Sequence, residues 1–220
     1  GVEERGQSYY SMKLVKGQTL QAVLDALKRG DADAVRAYPV SALLTVFRKV
    51  CDAMAYAHSK GILHRDLKPA NIIVAHPRPD RPVVKVLDFG IAKKLGSNMT
   101  GTGKAFGTPS YMSPEQAQNR PLDHRSDLYS LGCVLYQCLA GVPPFEGDNP
   151  LAVLLSHVTD PPPDLRKTAC SPVSDAFAAL VMRAMSKDPS ARFASALEMR
   201  QALEACRGAA RREVGFEPAA

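Results

Sequence analysis

The chain has 220 residues, 45% of them hydrophobic, which suffices for one substantial core, alone or within a larger domain, and excludes disordered and fibrous classes. The formal net charge of +6 is spread along the chain without aromatic interleaving, so nucleic-acid binding is not expected, whereas an anionic nucleotide or a phosphorylated segment suits the balance. Apolar runs reach about ten residues, as at Leu131 to Ala140, short of the ~20 of a bilayer span, and no signal peptide is visible after Gly1.

In chain order, Tyr9 to Val15 reads as a short strand and Thr19 to Lys28 as a helix ended by Gly30 and Asp31. From Val40 to Ser59, Leu43, Phe47, Val50, Met54 and Ala57 recur at gaps of four and three and mark one face of a long helix that Gly61 stops. Two β-branched runs, Ile72 to Val74 and Val83 to Leu87, flank a segment with prolines at 77, 79 and 82 and predict a hairpin. Ser97 to Lys104 lacks any hydrophobic period and reads as an exposed loop. Leu128, Leu131, Leu135 and Cys138 stripe a deeply buried helix running to about Ala140, closed by Gly141 and Pro143. Asn149 and Pro150 open a further helix to about Val158. Ala176 to Met185 and Ser195 to Cys206 are the last two, the second with a capping box of Ser195 and Glu198. The tail from Arg207 reads as a basic frayed end or linker. Five scattered cysteines, Cys51, Cys133, Cys138, Cys170 and Cys206, form no C-x-x-C pair, which argues against a disulfide framework or a zinc site and for a reducing cytosol.

Three motifs stand in register. His64-Arg65-Asp66-Leu67-Lys68-Pro69-Ala70-Asn71 is followed 17 residues after Asn71 by Asp88-Phe89-Gly90, and then by Ser113-Pro114-Glu115. A single Asp at a strand end is ordinarily a turn cap. Together, in this order, the three motifs resemble the catalytic loop, the metal-binding triplet and the Ala-Pro-Glu of the protein kinase family, with Ser113 in place of the usual Ala.

The resemblance implies an α+β fold, mostly helical with small β-hairpins, arranged as a kinase-like large lobe with the small lobe largely absent. It implies ATP and Mg²⁺ as cofactors and protein substrates as partners. Phosphoryl transfer needs positioning and charge stabilisation more than covalent help. Asp66 is then expected to accept the substrate hydroxyl proton, Lys68 to steady the transferring phosphate, and Asn71 and Asp88 to ligate metal. His64 is expected to be structural, packed beside Phe89. Arg65, with Lys93, is expected to receive a phosphate carried by Thr100 or Thr102, although surface threonines usually carry nothing. Thr108, in Gly107-Thr108-Pro109, resembles the family's substrate-docking threonine and, with Lys68, favours Ser/Thr over Tyr. Asp127 resembles the buried anchor of the catalytic loop. Glu115 and Arg192 match an internal ion pair, or are solvated charges.

Toward the front, Ser8 to Val15 resembles the last small-lobe strand and hinge, which puts Met12 at the gatekeeper position and the backbone of Lys13 and Val15 at adenine. Ile73 is either the floor beneath adenine or ordinary core. The expected division is residues 1–18 for the end of the small lobe and hinge, 19–206 for the large lobe and 207–220 for a basic tail or linker. No Gly-rich phosphate loop or strand Lys precedes the catalytic loop. Gly101-Thr-Gly-Lys-Ala-Phe-Gly107 and Lys85 both follow that loop, so neither can serve. Removing one preorganised contact typically lowers rate by ~10² to 10³, so the chain by itself is expected to have negligible activity until the small lobe joins it. The pattern most resembles bacterial receptor-type Ser/Thr kinases, with a cytoplasmic location and homodimerisation left open. A non-catalytic kinase-like interaction module is the alternative, disfavoured by intact Asp66, Asn71 and Asp88. A small-molecule kinase is disfavoured by the docking motifs.

Overall fold

The structure, a computed structural model, describes residues 14–75, 82–89 and 109–213, with side chains as far as residue 206. A two-residue strand β1 (Gln18–Thr19) leads into α1 (Leu20–Lys28), whose first turn is closed by the Thr19 hydroxyl accepting from Ala22 N at 3.0 Å. Asp31 then caps α2 (Ala32–Ala37), accepting from Asp33 N and Ala34 N at 3.0 and 2.9 Å. This helix was not expected. Asp31 read as a stop also serves as a start, and Ala-rich residues after it are good helix formers.

The long helix α3 (Val40–Ser59) buries Leu43, Val46, Phe47, Val50, Cys51, Met54 and Ala57 along one face. Strands β2 (Ile72–Ala75) and β3 (Val83–Val86) form the antiparallel hairpin, and β1 pairs on the other side of β2, giving the order β1-β2-β3. Ile73 faces Thr19 and Lys85 in this register. Leu14 and Val15 have irregular backbone, so the strand expected over Tyr9 to Val15 does not extend to its last two residues; Tyr9 to Lys13 lie outside the described residues.

The second half is helical: α4 (Pro114–Ala117), α5 (His124–Ala140), α6 (Pro150–Thr159), α7 (Leu165–Thr168), α8 (Asp175–Ala184) and α9 (Ala196–Glu213). Every residue of α5 from Ser126 to Ala140 except Cys138 is buried, so this helix is apolar or internally satisfied on all sides. Gly132 lets α8 approach: a Cβ there would lie 2.8 Å from Met185 Cγ and 2.9 Å from Ala184 Cβ. Helix α9 continues past Arg207, where the sequence suggested a frayed tail, because Ala, Arg and Glu dominate its last turns. The core lies between α3, α5, α8 and α9. All five cysteines are free thiols, and no helix among the described residues is long and apolar enough to cross a membrane.

Candidate active site

The loop between α3 and β2 is held from beneath by one carboxylate. Asp127, in the first turn of α5 and 2% exposed, accepts from His64 N at 2.9 Å and from Arg65 N at 2.8 Å. Its Oδ2 also meets His58 Nε2 at 2.9 Å. A carboxylate only accepts, so His58 donates from Nε2; its Nδ1 is buried without a partner among the described residues. Sequence reasoning passed over His58. The signal available was its place at the edge of the apolar stripe of α3, four residues after Met54 and one after Ala57.

His64 is fully buried and uses both ring nitrogens: Nε2 donates to Leu87 O at 2.8 Å, and Nδ1 accepts from Asp66 N at 3.2 Å. Its ring packs on Phe89 with centroids 4.8 Å apart. Burial is the largest influence on its pKa and holds it below the ordinary histidine value, so the imidazole stays neutral. With both nitrogens committed, no ring atom remains for a metal or a transferred proton.

Around this base the polar side chains converge. Lys68 Nζ lies 2.9 Å from Asp66 Oδ2, while Asn71 Nδ2 donates to Asp66 O at 2.8 Å and to Asp66 Oδ2 at 3.3 Å. A turn over Pro69–Asn71 sets Asn71 at the start of β2. Leu87 N then donates to Asn71 O at 2.8 Å, which draws the end of β3, and so Asp88, to the Asn71 backbone. Asp88 is exposed and carries a left-handed backbone, φ 57°, as does Arg65 at φ 65°. The carbonyl of Arg65 accepts from Gln116 Nε2 at 2.7 Å. Gln116 also completes a capping box with Ser113, a contact that the Ser-Pro-Glu motif did not reveal.

Glu115 and Arg192 form a buried two-pronged ion pair, Nη1 to Oε1 at 2.7 Å and Nη2 to Oε2 at 2.9 Å. The remaining guanidinium hydrogens go to the carbonyls of Ser186, Arg125 and Lys187, which satisfies the buried charge in full. For Glu115, burial alone would raise the pKa, but the two hydrogen bonds from Arg192 and its positive charge bring it net below the usual carboxylate range. Near the hinge, Val15 is half-buried and Ile73 is 7% exposed. Gly17, at φ 134°, presses on β2 so closely that a Cβ would lie 2.7 Å from Ile73 Cγ2 and from Val74 O. Met12, Lys13, Lys93, Thr100, Thr102 and Thr108 lie outside the described residues.

The family described as protein kinase domain matches residues 2–205. Serine/threonine-protein kinase pkn3 of Myxococcus xanthus is 40% identical over 213 residues, covering 93% of this chain and 37% of that protein. Serine/threonine-protein kinase PknB of Mycolicibacterium smegmatis is 42% identical over 200 residues, covering 89% of this chain and 30% of that protein. The chain thus spans about a third of the length of these curated relatives. Among solved structures, the kinase domain of PknI from Mycobacterium tuberculosis superposes with a TM-score of 0.62 at 27% identity, covering 86% of this chain and 62% of that one. The helical body, the small sheet beside it and the loop anchored on Asp127 therefore have a family: this chain belongs to the protein kinases, among bacterial Ser/Thr members.

Proposed function

We propose that the chain forms the hinge and large lobe of an ATP-dependent Ser/Thr protein kinase, with residues 1–18 ending the small lobe, 19–206 the large lobe and 207–220 a basic extension. The observation that carries this reading is the set of contacts joining Asp66, Lys68 and Asn71 and, through Leu87, Asp88. Asp66 orients the substrate Ser or Thr hydroxyl and takes its proton. Lys68, beside Asp66 Oδ2, presents its ammonium to the moving phosphoryl oxygens.

Asn71 and Asp88 would hold Mg²⁺. The donor set fits: Asn71 spends its amide nitrogen on Asp66, which leaves its amide oxygen, and Asp88 adds a carboxylate, so both offer the oxygen ligands a hard cation prefers. Among the described residues no group of three or more His, Cys, Asp or Glu side chains gathers, which suits an ion that keeps water and phosphate in its shell. When bound, the metal neutralises charge on the nucleotide phosphates. At the other end of the nucleotide, Met12, Lys13, Val15 and Ile73 frame adenine. Arg65 and Lys93 receive a phosphate on Thr100 or Thr102, and Thr108 docks the acceptor peptide. A small lobe supplies the Gly-rich loop and the strand Lys, and a cytoplasmic location goes with this assignment.

The test is Mg²⁺-dependent transfer of labelled phosphate from ATP to a Ser/Thr protein substrate by the full-length protein that carries this segment. Asp66→Asn should lower the rate by at least ~10²-fold. An Asp66→Asn protein with undiminished rate would sink the assignment.

A further inference from the structure

The peptide bond that leads into Asp66 is gripped at both of its polar atoms. Its N–H, on Asp66, donates to His64 Nδ1 at 3.2 Å, and its carbonyl, on Arg65, accepts from Gln116 Nε2 at 2.7 Å. Arg65 N donates to Asp127 Oδ1 at 2.8 Å, so α5 holds the Arg65 backbone at one end and α4 at the other. Such restraint is needed here, because Arg65 has φ 65°, a left-handed backbone that a non-glycine residue keeps only where its surroundings impose it.

The side chain that meets this carbonyl is chosen more narrowly than its own helix requires. Gln116 Oε1 accepts from Ser113 N at 3.0 Å and thereby completes the capping box at the start of α4. Glutamate serves a capping box equally well, and its negative charge at a helix start is favourable. The contact with Arg65 breaks that equivalence. Ser113 N can only donate and Arg65 O can only accept, so the two neighbours together demand one acceptor and one donor on a single planar group. Of the two residues that suit a capping box, only glutamine meets both demands.

We infer that Gln116 is a positioning residue for phosphoryl transfer: its amide N–H pins the Arg65 carbonyl and so sets the direction in which Asp66 meets the substrate hydroxyl. One hydrogen bond thereby joins the segment around Ser113 to the base. This role rests on the reading of Asp66 as the base, and Gln116 acts through Arg65 rather than on the reacting atoms.

The experiment is steady-state kinetics and site-resolved amide exchange of the full-length protein that carries this segment. Gln116→Glu keeps the acceptor for Ser113 N and loses the donor to Arg65 O, whereas Gln116→Lys keeps a donor and loses the acceptor. Gln116→Glu should lower kcat about tenfold or more and change KM for ATP by less than about twofold, since a small misplacement of a catalytic group is costly in rate. In that variant exchange should quicken at least about tenfold at the Asp66 amide and stay slow at the Ser113 amide. Gln116→Lys should show the reverse pattern of exchange and keep more of kcat than Gln116→Glu, although a cation at a helix start is the worse cap. A kcat that follows protection of the Ser113 amide, with Gln116→Lys slower than Gln116→Glu, would overturn the positioning role. So would Gln116→Glu with undiminished kcat beside an Asp66→Asn control that has lost its rate, and in both cases the kinase reading would stand. An Asp66→Asn control with undiminished rate would overturn the kinase reading and the positioning role with it.

Discussion

The loop from His64 to Asn71 has two faces that obey different rules. Its inner face is closed: His64 is fully buried, Asp127 is 2% exposed, the amides of His64 and Arg65 meet the Asp127 carboxylate, and the His64 ring takes the Asp66 amide on one nitrogen and donates to Leu87 O from the other. Its outer face is open, with the Asp66 and Lys68 side chains 36% and 22% exposed and bound chiefly to each other. The lesson is a division of labour. Rigid, fully satisfied polar contacts below hold the backbone, so under the proposed assignment the groups above can face a substrate without first being ordered by it.

Substitutions can break this contrast, and the largest effect belongs to the closed side. Arg192→Ala would strand Glu115 as a buried carboxylate without its cation, and should lower unfolding free energy by about 3–5 kcal/mol in urea titration. The next effect is a pH response. Burial, then the neighbouring Lys187 charge, bring His157 down to about 4, so it is neutral in the fold and free to protonate when unfolded. Its contribution is therefore complete above about pH 6.5, the ordinary histidine value, and is lost as pH falls toward 4. The loss is on the order of 3 kcal/mol and should be largely absent from a His157→Gln variant followed by the same titration. Buried His64, also lowered, and Glu115, with its net downward shift, push in the same acid-labile direction.

A smaller effect is expected where one acceptor is exchanged for a donor. Asp127→Asn keeps one oxygen but turns an amide N–H₂ against the loop, and should remove about 2 kcal/mol, with faster hydrogen exchange at the amides of His64 and Arg65. The smallest stability change lies on the open face. Asp66→Asn should alter stability by no more than about 0.5 kcal/mol, although it is the substitution expected to remove activity. If Asp66→Asn destabilised as much as Asp127→Asn, the distinction between the two faces would collapse.

Legibility in the sequence followed the same divide. Helices α1, α3, α5 and α6 were readable because apolar spacing and caps such as Thr19 and Asn149 are local signals. Helix α2 was missed because Asp31 ends one element and begins another within two residues of Gly30. The site motifs were readable as a run of residue types, but their geometry depends on distant partners. Glu115 meets Arg192 across 77 residues and His58 meets Asp127 across 69, separations that carry no periodic signature. The Glu115 and Arg192 match came only through family resemblance, and His58, which completes the hub beneath the loop, was not foreseen at all.

The left-handed backbone at Arg65 and Asp88 bears on substitution tolerance. Together with Asn119 these are the described non-glycine residues of positive φ, a conformation in which glycine is normally the easier choice. Each such position stores roughly 1–3 kcal/mol of strain. At two places beside the same loop, then, the chain carries a bulky or charged side chain where its backbone would be more relaxed without one. Stability alone would favour glycine at both. A library selected only for folding should drift toward glycine there, whereas one selected for phosphate transfer should retain Arg65 and Asp88, which makes these two positions a readout of the pressure acting on the protein.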